Sequence, residues 1–231
     1  MPALSYVFPP APQPVVPVIG TTAAFPVRRI YCVGRNFAAH AVEMGHDPDR
    51  EPPFFFQKNA DSVLLPGQNL PFPPGTESLH HEVEMVIALS GGGRDIDPSA
   101  ALDLVFGYAT GLDMTRRDLQ AVAKKAGRPW EIGKSFEHSA PISAIVPAAQ
   151  SGHLATGAIS ASVNGAQRQS GDLSQMIWKT PEIIAHLSRY FELAAGDLIF
   201  AGTPAGVGDV VRGDRILATI AGLPDLDVLI S

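Results

Sequence analysis

Two glutamates alternate with apolar residues inside one short run, and this feature constrains the fold of the chain more than any other. The run reads His80-His81-Glu82-Val83-Glu84-Met85-Val86-Ile87-Ala88-Leu89. Successive side chains of a strand point to opposite faces, so Glu82 and Glu84 share one face at ~6.5 Å of strand rise. Because burial of two ionised carboxylates is costly without compensation, a buried strand of this kind requires a positive partner.

A third acid, Asp113, follows another apolar run over residues 105–112, and the end of such a strand can deliver it to the same place. Three carboxylates without a thiolate make a hard oxygen site, which suits Mg²⁺, Mn²⁺ or Ca²⁺ better than Zn²⁺ or Cu²⁺. The alternative is that Glu82 and Glu84 line the solvated side of an edge strand. The metal hypothesis therefore requires Asp113 to converge on the pair.

Composition excludes several classes of protein. The chain has 231 residues, 45% of them hydrophobic, which suffices for one domain with a substantial core. The net charge is −6 and no basic cluster exceeds a pair, which argues against a nucleic-acid partner. Cys32 is the only cysteine, so neither an internal disulfide nor a cysteine zinc site is expected. Without a membrane span or a signal peptide, we expect a soluble cytoplasmic protein.

Short apolar runs outnumber helical patterns and do not alternate regularly with them, which predicts an α+β fold that is mainly β and mainly antiparallel. Residues 1–25 contain six prolines and are interpreted as an N-terminal arm, with a catalytic domain over 26–231. Strands are expected at 29–33 and 54–58. Asn164-Gly165 predicts a two-residue hairpin.

Helices are expected in three places. Asn36 is assigned as the N-cap of a short helix that Gly45 closes, and the polar loop over 45–53 is a candidate lid. Thr115 and Asp118 resemble a capping box for a helix over 116–126. Thr180 opens the clearest helix, whose buried stripe is expected to reach Phe191. Cys32 is interpreted as a packed hydrophobe rather than a nucleophile.

Six short motifs together resemble those of the fumarylacetoacetate hydrolase family, in the same order and spacing, over roughly residues 26–220. They are Val33-Gly34-Arg35-Asn36-Phe37-Ala38-Ala39-His40 with Glu43, Phe56-Gln57-Lys58, His80-His81-Glu82-Val83-Glu84, Gly111-Leu112-Asp113-Met114-Thr115-Arg116-Arg117-Asp118, Gly133-Lys134-Ser135-Phe136 and Gly202-Thr203-Pro204-Ala205-Gly206-Val207-Gly208. The segments over 6–12 and 44–51 are most similar to the branch that cleaves fumarylpyruvate. One departure is Asn59, where proline is usual.

The resemblance implies a mixed β-sheet roll or sandwich with a few peripheral helices, and it implies roles for individual residues. Mg²⁺ or Mn²⁺, with Ca²⁺ as a possible substitute, is expected on Glu82, Glu84 and Asp113. The expected catalytic residues are His40, which Glu43 orients, together with Lys134 and Gln120. Apart from the resemblance, a dianionic substrate needs a cationic clamp for its far carboxylate, for which Arg35, Lys58, Arg117 and Arg128 are candidates, and Thr203 is a substrate-binding candidate in the glycine-rich loop. His80 and His81 abut the acids and are expected to support them rather than to bind metal.

The activity that the resemblance implies is metal-dependent hydrolysis of a carbon–carbon bond in a 2,4-dioxo acid, with 3-fumarylpyruvate giving fumarate and pyruvate in gentisate-type aromatic degradation. Acylpyruvate hydrolysis and oxaloacetate decarboxylation are alternatives, since both use the same metal-bound pyruvate enolate. A second alternative is a non-catalytic module that binds metal or carboxylate. A homodimer that acts on small molecules, without a nucleic-acid or membrane partner, is expected.

Overall fold

A computed structural model of the chain describes residues 5–37 and 52–231, and most of its regular structure is strand. The strands are β1 (Val15–Pro17), β2 (Ala24–Pro26), β3 (Arg29–Gly34), β4 (Phe54–Lys58), β5 (Val63–Leu64), β6 (Leu79–His81), β7 (Val83–Leu89), β8 (Val105–Leu112), β9 (Thr115–Arg116), β10 (Ala140–Pro141), β11 (Val146–Pro147), β12 (Ala158–Val163), β13 (Ala166–Asp172), β14 (Asp197–Phe200), β15 (Gly208–Val210), β16 (Arg215–Ile220) and β17 (Leu226–Leu229). The helices are α1 (Arg117–Lys125), α2 (Glu131–Lys134), α3 (Ala148–Ser151) and α4 (Thr180–Ser188), with short 3₁₀ helices at Ala60–Ser62, Pro98–Leu104 and Leu173–Gln175. The prediction of a mainly β fold with few helices is confirmed.

A six-stranded sheet with the order β11-β8-β7-β14-β3-β4 forms the centre of the structure. Only β14 and β3 pair in parallel, and the other neighbours are antiparallel. All seven residues of β7 are buried, so the strand is covered on both faces and not on one alone. Its odd-numbered residues pack in one core cluster, whereas Val86 and Ala88 pack in another, as the alternation in the sequence predicts.

The run from His80 to Leu89 is not one continuous strand. β6 belongs to a three-stranded sheet with the order β15-β6-β9, and β7 belongs to the central sheet. Glu82 lies between the two strands, where the chain passes from one sheet to the other. Pairing of β7 with β8 sets the positions of the other two acids. Glu84 lies opposite Gly111 of β8, and the Asp113 amide donates to the Glu82 carbonyl at 2.9 Å. The change of sheet therefore places Glu82 at the edge where β8 ends.

A four-stranded sheet with the order β13-β12-β16-β17 packs beside the central sheet. The predicted hairpin joins β12 to β13 through Asn164 and Gly165, whose φ angles of 53° and 79° suit the type I′ turn that this dipeptide favours. The hairpin prediction is confirmed.

Part of the predicted N-terminal arm belongs to the core. β1 and β2 form a hairpin whose Val16 and Phe25 are buried, together with Val18, in the cluster that contains Cys32. Only the proline-rich residues before β1 are exposed along most of their length. The packed part of the chain therefore begins about ten residues before the expected boundary at residue 26.

Two of the expected helices differ in detail from the structure. Asp118 does not form the predicted capping box with Thr115, because its carboxylate accepts from the Thr76 hydroxyl at 2.5 Å, the Glu77 amide at 3.1 Å and the Leu119 amide at 2.8 Å. α4 ends at Ser188, so Phe191 lies beyond it and packs against Tyr31 with the ring centroids 5.1 Å apart. Within the described parts of the chain, none of the helices has both the length and the apolar character needed to cross a membrane.

Candidate active site

Glu82, Glu84 and Asp113 converge at one end of the central sheet. One oxygen from each carboxylate lies within 4.8 Å of the others, and all three residues are buried. Glu82 precedes β7, Glu84 lies in its second position, and Asp113 directly follows β8, so antiparallel pairing of these strands brings the acids together. The edge-strand alternative for the glutamates is wrong, because neither acid faces bulk solvent.

Three cationic side chains accompany the three acids. Lys134, from the end of α2, donates to Glu82 Oε2 at 2.9 Å and to Asp113 Oδ2 at 2.7 Å. Lys58, from the end of β4, lies 2.8 Å from Asp113 Oδ1. Arg117 begins α1 and pairs with Glu82 Oε1. Glu82 and Asp113 therefore each meet two cationic groups, which offsets the cost of burying these two acids.

Glu84 has the least compensation of the three acids. Its Oε2 accepts from the Gly202 amide at 2.8 Å. Burial raises the pKa of Glu84 well above its ordinary value, and the charges of Asp113 and Glu82 raise it further. A bound cation would remove this penalty, because it would favour the ionised carboxylate.

Lys134 serves as a donor rather than as a base. Burial alone would lower its pKa, but the charges of Asp113 and Glu82 outweigh burial and hold the pKa above its ordinary value. The side chain therefore stays an ammonium group and orients both carboxylates. Lys134 is buried, and its ammonium also lies 5.0 Å from the Phe56 ring centroid.

The donor set fits a divalent cation that prefers oxygen ligands. Among the described residues, Oδ1 of Asp113 is a buried oxygen that accepts no hydrogen bond, since the Lys58 contact lacks hydrogen-bond geometry. Three carboxylates can supply oxygen ligands to one ion and leave further positions for substrate or water. The part of the chain that the structure describes contains no other group of three acids, histidines or cysteines placed close enough to share an ion.

A cavity of about 200 Å³ opens beside the acids. Among the described residues, Phe54, Phe56 and Trp130 form its outer wall. The Trp130 and Phe54 rings meet edge to face with their centroids 5.0 Å apart, and Trp130 also contacts Phe56. Arg35 and Lys124 add positive charge to this wall, and the guanidinium of Arg35 lies 5.5 Å from the Phe54 ring centroid. The cavity thus has an acidic inner end and an outer wall that combines aromatic rings with positive charge.

Most of the residues predicted to bind substrate reach this cavity. Arg35, Arg117, Gln120 and Thr203 line it together with Lys134. Gln120 is buried and accepts from Arg117 at 2.6 Å, so it is not solvated on the helix surface. His40 and Glu43 lie outside the described residues, as does most of the candidate lid at 45–53. Their roles remain predictions.

Lys58 is the exception among the predicted substrate ligands. It is buried under Asp113 and also donates to the Met114 carbonyl at 3.1 Å and to the Lys134 carbonyl. These contacts occupy its ammonium group, and the residue is not in the cavity wall. Its assignment to substrate binding stays a prediction that this position does not favour, because the strand delivers Lys58 to Asp113 and not to the cavity wall.

Two further residues of the site were not predicted from the sequence. Gln169 is buried on β13 and hydrogen-bonds both the Val83 amide and the Thr203 hydroxyl. Asn36, expected to cap a helix, uses its side chain to bridge the Trp178 and Ala201 backbones. No local feature of the sequence distinguishes the first of these from Gln167, which lies exposed on the same strand.

The histidines beside the acids behave as supporting residues. Burial lowers the pKa of His80 to about 4, and the nearby charge of Arg117 lowers it as well. Burial also lowers the pKa of His81, whose Nδ1 lies 3.0 Å from Gln169 Oε1. Both rings are therefore neutral at neutral pH, and neither belongs to the three-acid group.

Comparison with known proteins agrees with this architecture. Residues 29–230 match the model of the fumarylacetoacetate (FAA) hydrolase C-terminal family. The crystal structure of fumarylpyruvate hydrolase from Pseudomonas aeruginosa in complex with Mn²⁺ and pyruvate is 51% identical, with a TM-score of 0.95 over 98% of this chain and 100% of that one. The chain therefore belongs to the fumarylacetoacetate hydrolase family.

Two curated relatives show the range of activities at this level of similarity. A fumarylpyruvate hydrolase of a Ralstonia species is 42% identical over 189 residues, which cover 81% of this chain and 98% of the relative. An oxaloacetate tautomerase of Escherichia coli is 39% identical over 204 residues, 88% of this chain and 93% of the relative. Relatives of similar identity to this chain thus act on different substrates.

Proposed function

We propose that this chain is a metal-dependent hydrolase that cleaves 3-fumarylpyruvate to fumarate and pyruvate. The observation that carries the proposal is the cavity itself, in which three buried carboxylates lie at one end and Arg35 lies with aromatic rings in the outer wall. The similarity to fumarylpyruvate hydrolases supports the choice of substrate. These relatives are enzymes, so the alternative of a non-catalytic binding module is set aside.

Glu82, Glu84 and Asp113 would hold the divalent ion, for which we propose Mg²⁺ as the native metal and Mn²⁺ as a substitute. When bound, the ion supplies Lewis-acid stabilisation for charge that develops on the substrate oxygens. The ammonium of Lys134 and the guanidinium of Arg117 fix the direction of the Glu82 carboxylate, and Lys134 does the same for Asp113. These cations preorganise the ligands without competing as bases.

The remaining residues of the cavity bind the two ends of the substrate. Thr203 lies on the acidic side and can donate its hydroxyl to the keto-acid end. Phe54, Phe56 and Trp130 form a wall suited to the flat conjugated fumaryl arm, and Arg35 can pair with its distal carboxylate. A dianion thus meets positive charge at the outer end and the metal site at the inner end.

In the hydrolysis, water adds to the C4 carbonyl of the dioxo acid and the bond between C4 and C3 breaks. C3 keeps the electron pair and takes up a proton, which gives pyruvate, and the C4 acyl group becomes the new carboxylic acid. We propose that His40 takes the proton from the attacking water while Glu43 orients its ring, an effect worth roughly 10²–10⁴-fold. Support for this dyad comes from the family resemblance. Lys134 is excluded from the role of base, because it is held as an ammonium group.

A second candidate is chemistry on oxaloacetate, either decarboxylation or tautomerisation. A relative 39% identical to this chain is an oxaloacetate tautomerase. Oxaloacetate is a short dianion that would bind near the acids without filling the aromatic wall. The balance between the candidates therefore depends on what the outer half of the cavity binds.

The deciding experiment ranks turnover of fumarylpyruvate, acetylpyruvate and oxaloacetate by loss of enol absorbance with added Mg²⁺. The proposal expects fumarylpyruvate to have the highest kcat/KM and EDTA to abolish the activity. A higher kcat/KM for oxaloacetate would transfer the assignment to the second candidate. A homodimer in the cytoplasm and a place in gentisate-type degradation remain parts of the proposal, and gel filtration with light scattering tests the dimer.

A further inference from the structure

Gln169 is a buried side chain on β13 whose amide bridges the metal-site strand and the loop that carries Thr203. Its Oε1 accepts from the Val83 amide at 3.0 Å and lies 3.0 Å from His81 Nδ1. Its Nε2 donates to Thr203 Oγ1 and to the Pro204 carbonyl, each at 2.8 Å. The two acceptor sites and the two amide hydrogens are therefore all used.

The orientation of this amide is set by partners that have only one role. A backbone N–H can only donate, so the Gln169 atom that faces Val83 is the oxygen. A backbone carbonyl can only accept, so the atom that faces Pro204 is the nitrogen. Thr203 Oγ1 meets the same nitrogen and therefore acts as an acceptor toward Gln169.

Two glycines allow the Thr203 loop to lie directly on β13. A Cβ atom at Gly206 would lie 2.1 Å from the Arg168 carbonyl oxygen, and Gly206 has a φ of +91°. A Cβ atom at Gly171 would lie 2.9 Å from Pro204 Cβ. Backbone packing on both sides therefore keeps the loop within reach of the Gln169 amide.

This arrangement determines what the Thr203 hydroxyl can do in the cavity. A hydroxyl that accepts from one neighbour keeps its own hydrogen for a different acceptor. Thr203 is buried and lines the cavity beside Glu84 and Asp113. We propose that Gln169 is a positioning residue that holds the Thr203 hydroxyl as a donor toward an oxygen of the bound keto acid. The inference rests on the proposed function, because it assumes a keto acid in this cavity.

A cycle of Gln169→Met and Thr203→Val tests the proposal, with pyruvate as the probe. The dissociation constant of pyruvate is measured on the Mn²⁺-loaded protein by water-proton relaxation. Thr203→Val should raise this dissociation constant about tenfold, and Gln169→Met should raise it about fivefold, as expected for loss or misdirection of one hydrogen bond to a charged ligand. When Thr203→Val is already present, adding Gln169→Met should change the dissociation constant by less than about twofold, because no hydroxyl remains to be oriented.

The controls separate positioning from structural support. Gln167→Met lies on the exposed part of the same strand and should leave pyruvate affinity unchanged. In Thr203→Ser, which keeps a hydroxyl, Gln169→Met should again cost about fivefold. If Gln169→Met weakens pyruvate binding by the same factor with and without the Thr203 hydroxyl, the role is structural and the proposal is overturned.

Two further measurements keep the test decisive. The affinity for Mn²⁺ alone should be the same in wild type and Thr203→Val, since the hydroxyl is not assigned to the metal. If Gln169→Met fails to fold, unchanged pyruvate affinity in Thr203→Val overturns the proposed donor direction by itself. Pyruvate binding does not require turnover of fumarylpyruvate, so failure of the proposed reaction can be distinguished from failure of this inference.

Discussion

The ammonium nitrogen of Lys58 lies 2.8 Å from Oδ1 of Asp113, on the protein side of the acidic cluster. Both side chains are buried. Lys58 thus balances the charge of Asp113, although its positive charge made it a candidate to bind the far carboxylate of a dianionic substrate. The contact therefore predicts that Lys58 contributes to the stability of the folded protein.

Lys58→Met should destabilise the protein by about 3–5 kcal/mol, because it leaves the Asp113 carboxylate buried with one cation fewer. Urea unfolding followed by circular dichroism measures the change. Lys125→Met, on the exposed face of α1, is the matched control and should stay within about 0.5 kcal/mol. Equal stability of the two variants would show that Asp113 does not need Lys58.

Glu84→Gln should act in opposite directions on stability and on metal binding. Burial and the neighbouring acids disfavour the ionised Glu84, so a neutral amide should stabilise the metal-free protein by on the order of 1 kcal/mol. The same change removes a proposed ligand and should weaken Mn²⁺ binding at least tenfold. Thermal unfolding in EDTA and Mn²⁺ titration measure the two effects, and unchanged metal affinity would remove Glu84 from the site.

Arg35→Met should change substrate preference more than general activity. If Arg35 pairs with the distal carboxylate, kcat/KM for fumarylpyruvate should fall about 10- to 100-fold. Acetylpyruvate lacks that carboxylate and should be affected by less than about threefold. Arg189→Met changes an exposed arginine at the C-terminal end of α4 and serves as the control. An equal loss of kcat/KM for both substrates would show that Arg35 supports the structure of the site and does not bind the distal carboxylate.

His40→Ala should lower kcat by roughly 10²–10⁴-fold while leaving the affinity for Mn²⁺ unchanged, since the histidine is assigned to the water and not to the metal. Glu43→Gln should give a smaller loss in kcat. Stopped-flow absorbance measures turnover, and metal titration provides the control. Full turnover by His40→Ala would mean that another group activates the water.

Cys32→Ala should retain turnover, because Cys32 is buried in the core and burial raises the pKa of its thiol well above its ordinary value. The native protein should resist iodoacetamide until it is unfolded, which mass spectrometry detects. Rapid alkylation of the folded protein with loss of activity would contradict the assignment of Cys32 as a packing residue.

Local sequence patterns predicted much of the metal-site geometry. The alternation around Glu82 and Glu84 fixes a shared face through the two-residue period of a strand, and Asp113 follows an apolar run whose end reaches the same edge. The Asn164-Gly165 turn was predictable for a similar reason, since its conformation depends on two adjacent residues.

Long-range contacts were beyond such patterns. Gln169 and Val83 are 86 residues apart, and nothing local distinguishes Gln169 from the exposed Gln167. Similarly, Lys58 and Arg35 are both basic residues near strand ends, and only the packing of β4 under Asp113 separates a counter-charge from a cavity residue. The spacing of Thr115 and Asp118 indicates a capping box, whereas the Thr76 partner of Asp118 lies 42 residues away and leaves no local signal.

The cations that accompany Glu82 and Asp113 have a consequence for how the protein folds and acquires its ion. A site made of acids alone would repel itself during assembly until an ion arrived, as in small domains that fold only around their metal. Here the lysines and the arginine already pair with Glu82 and Asp113, so we expect the newly made chain to acquire its shape first and its ion later. Occupancy would then follow whichever divalent ion the cell supplies.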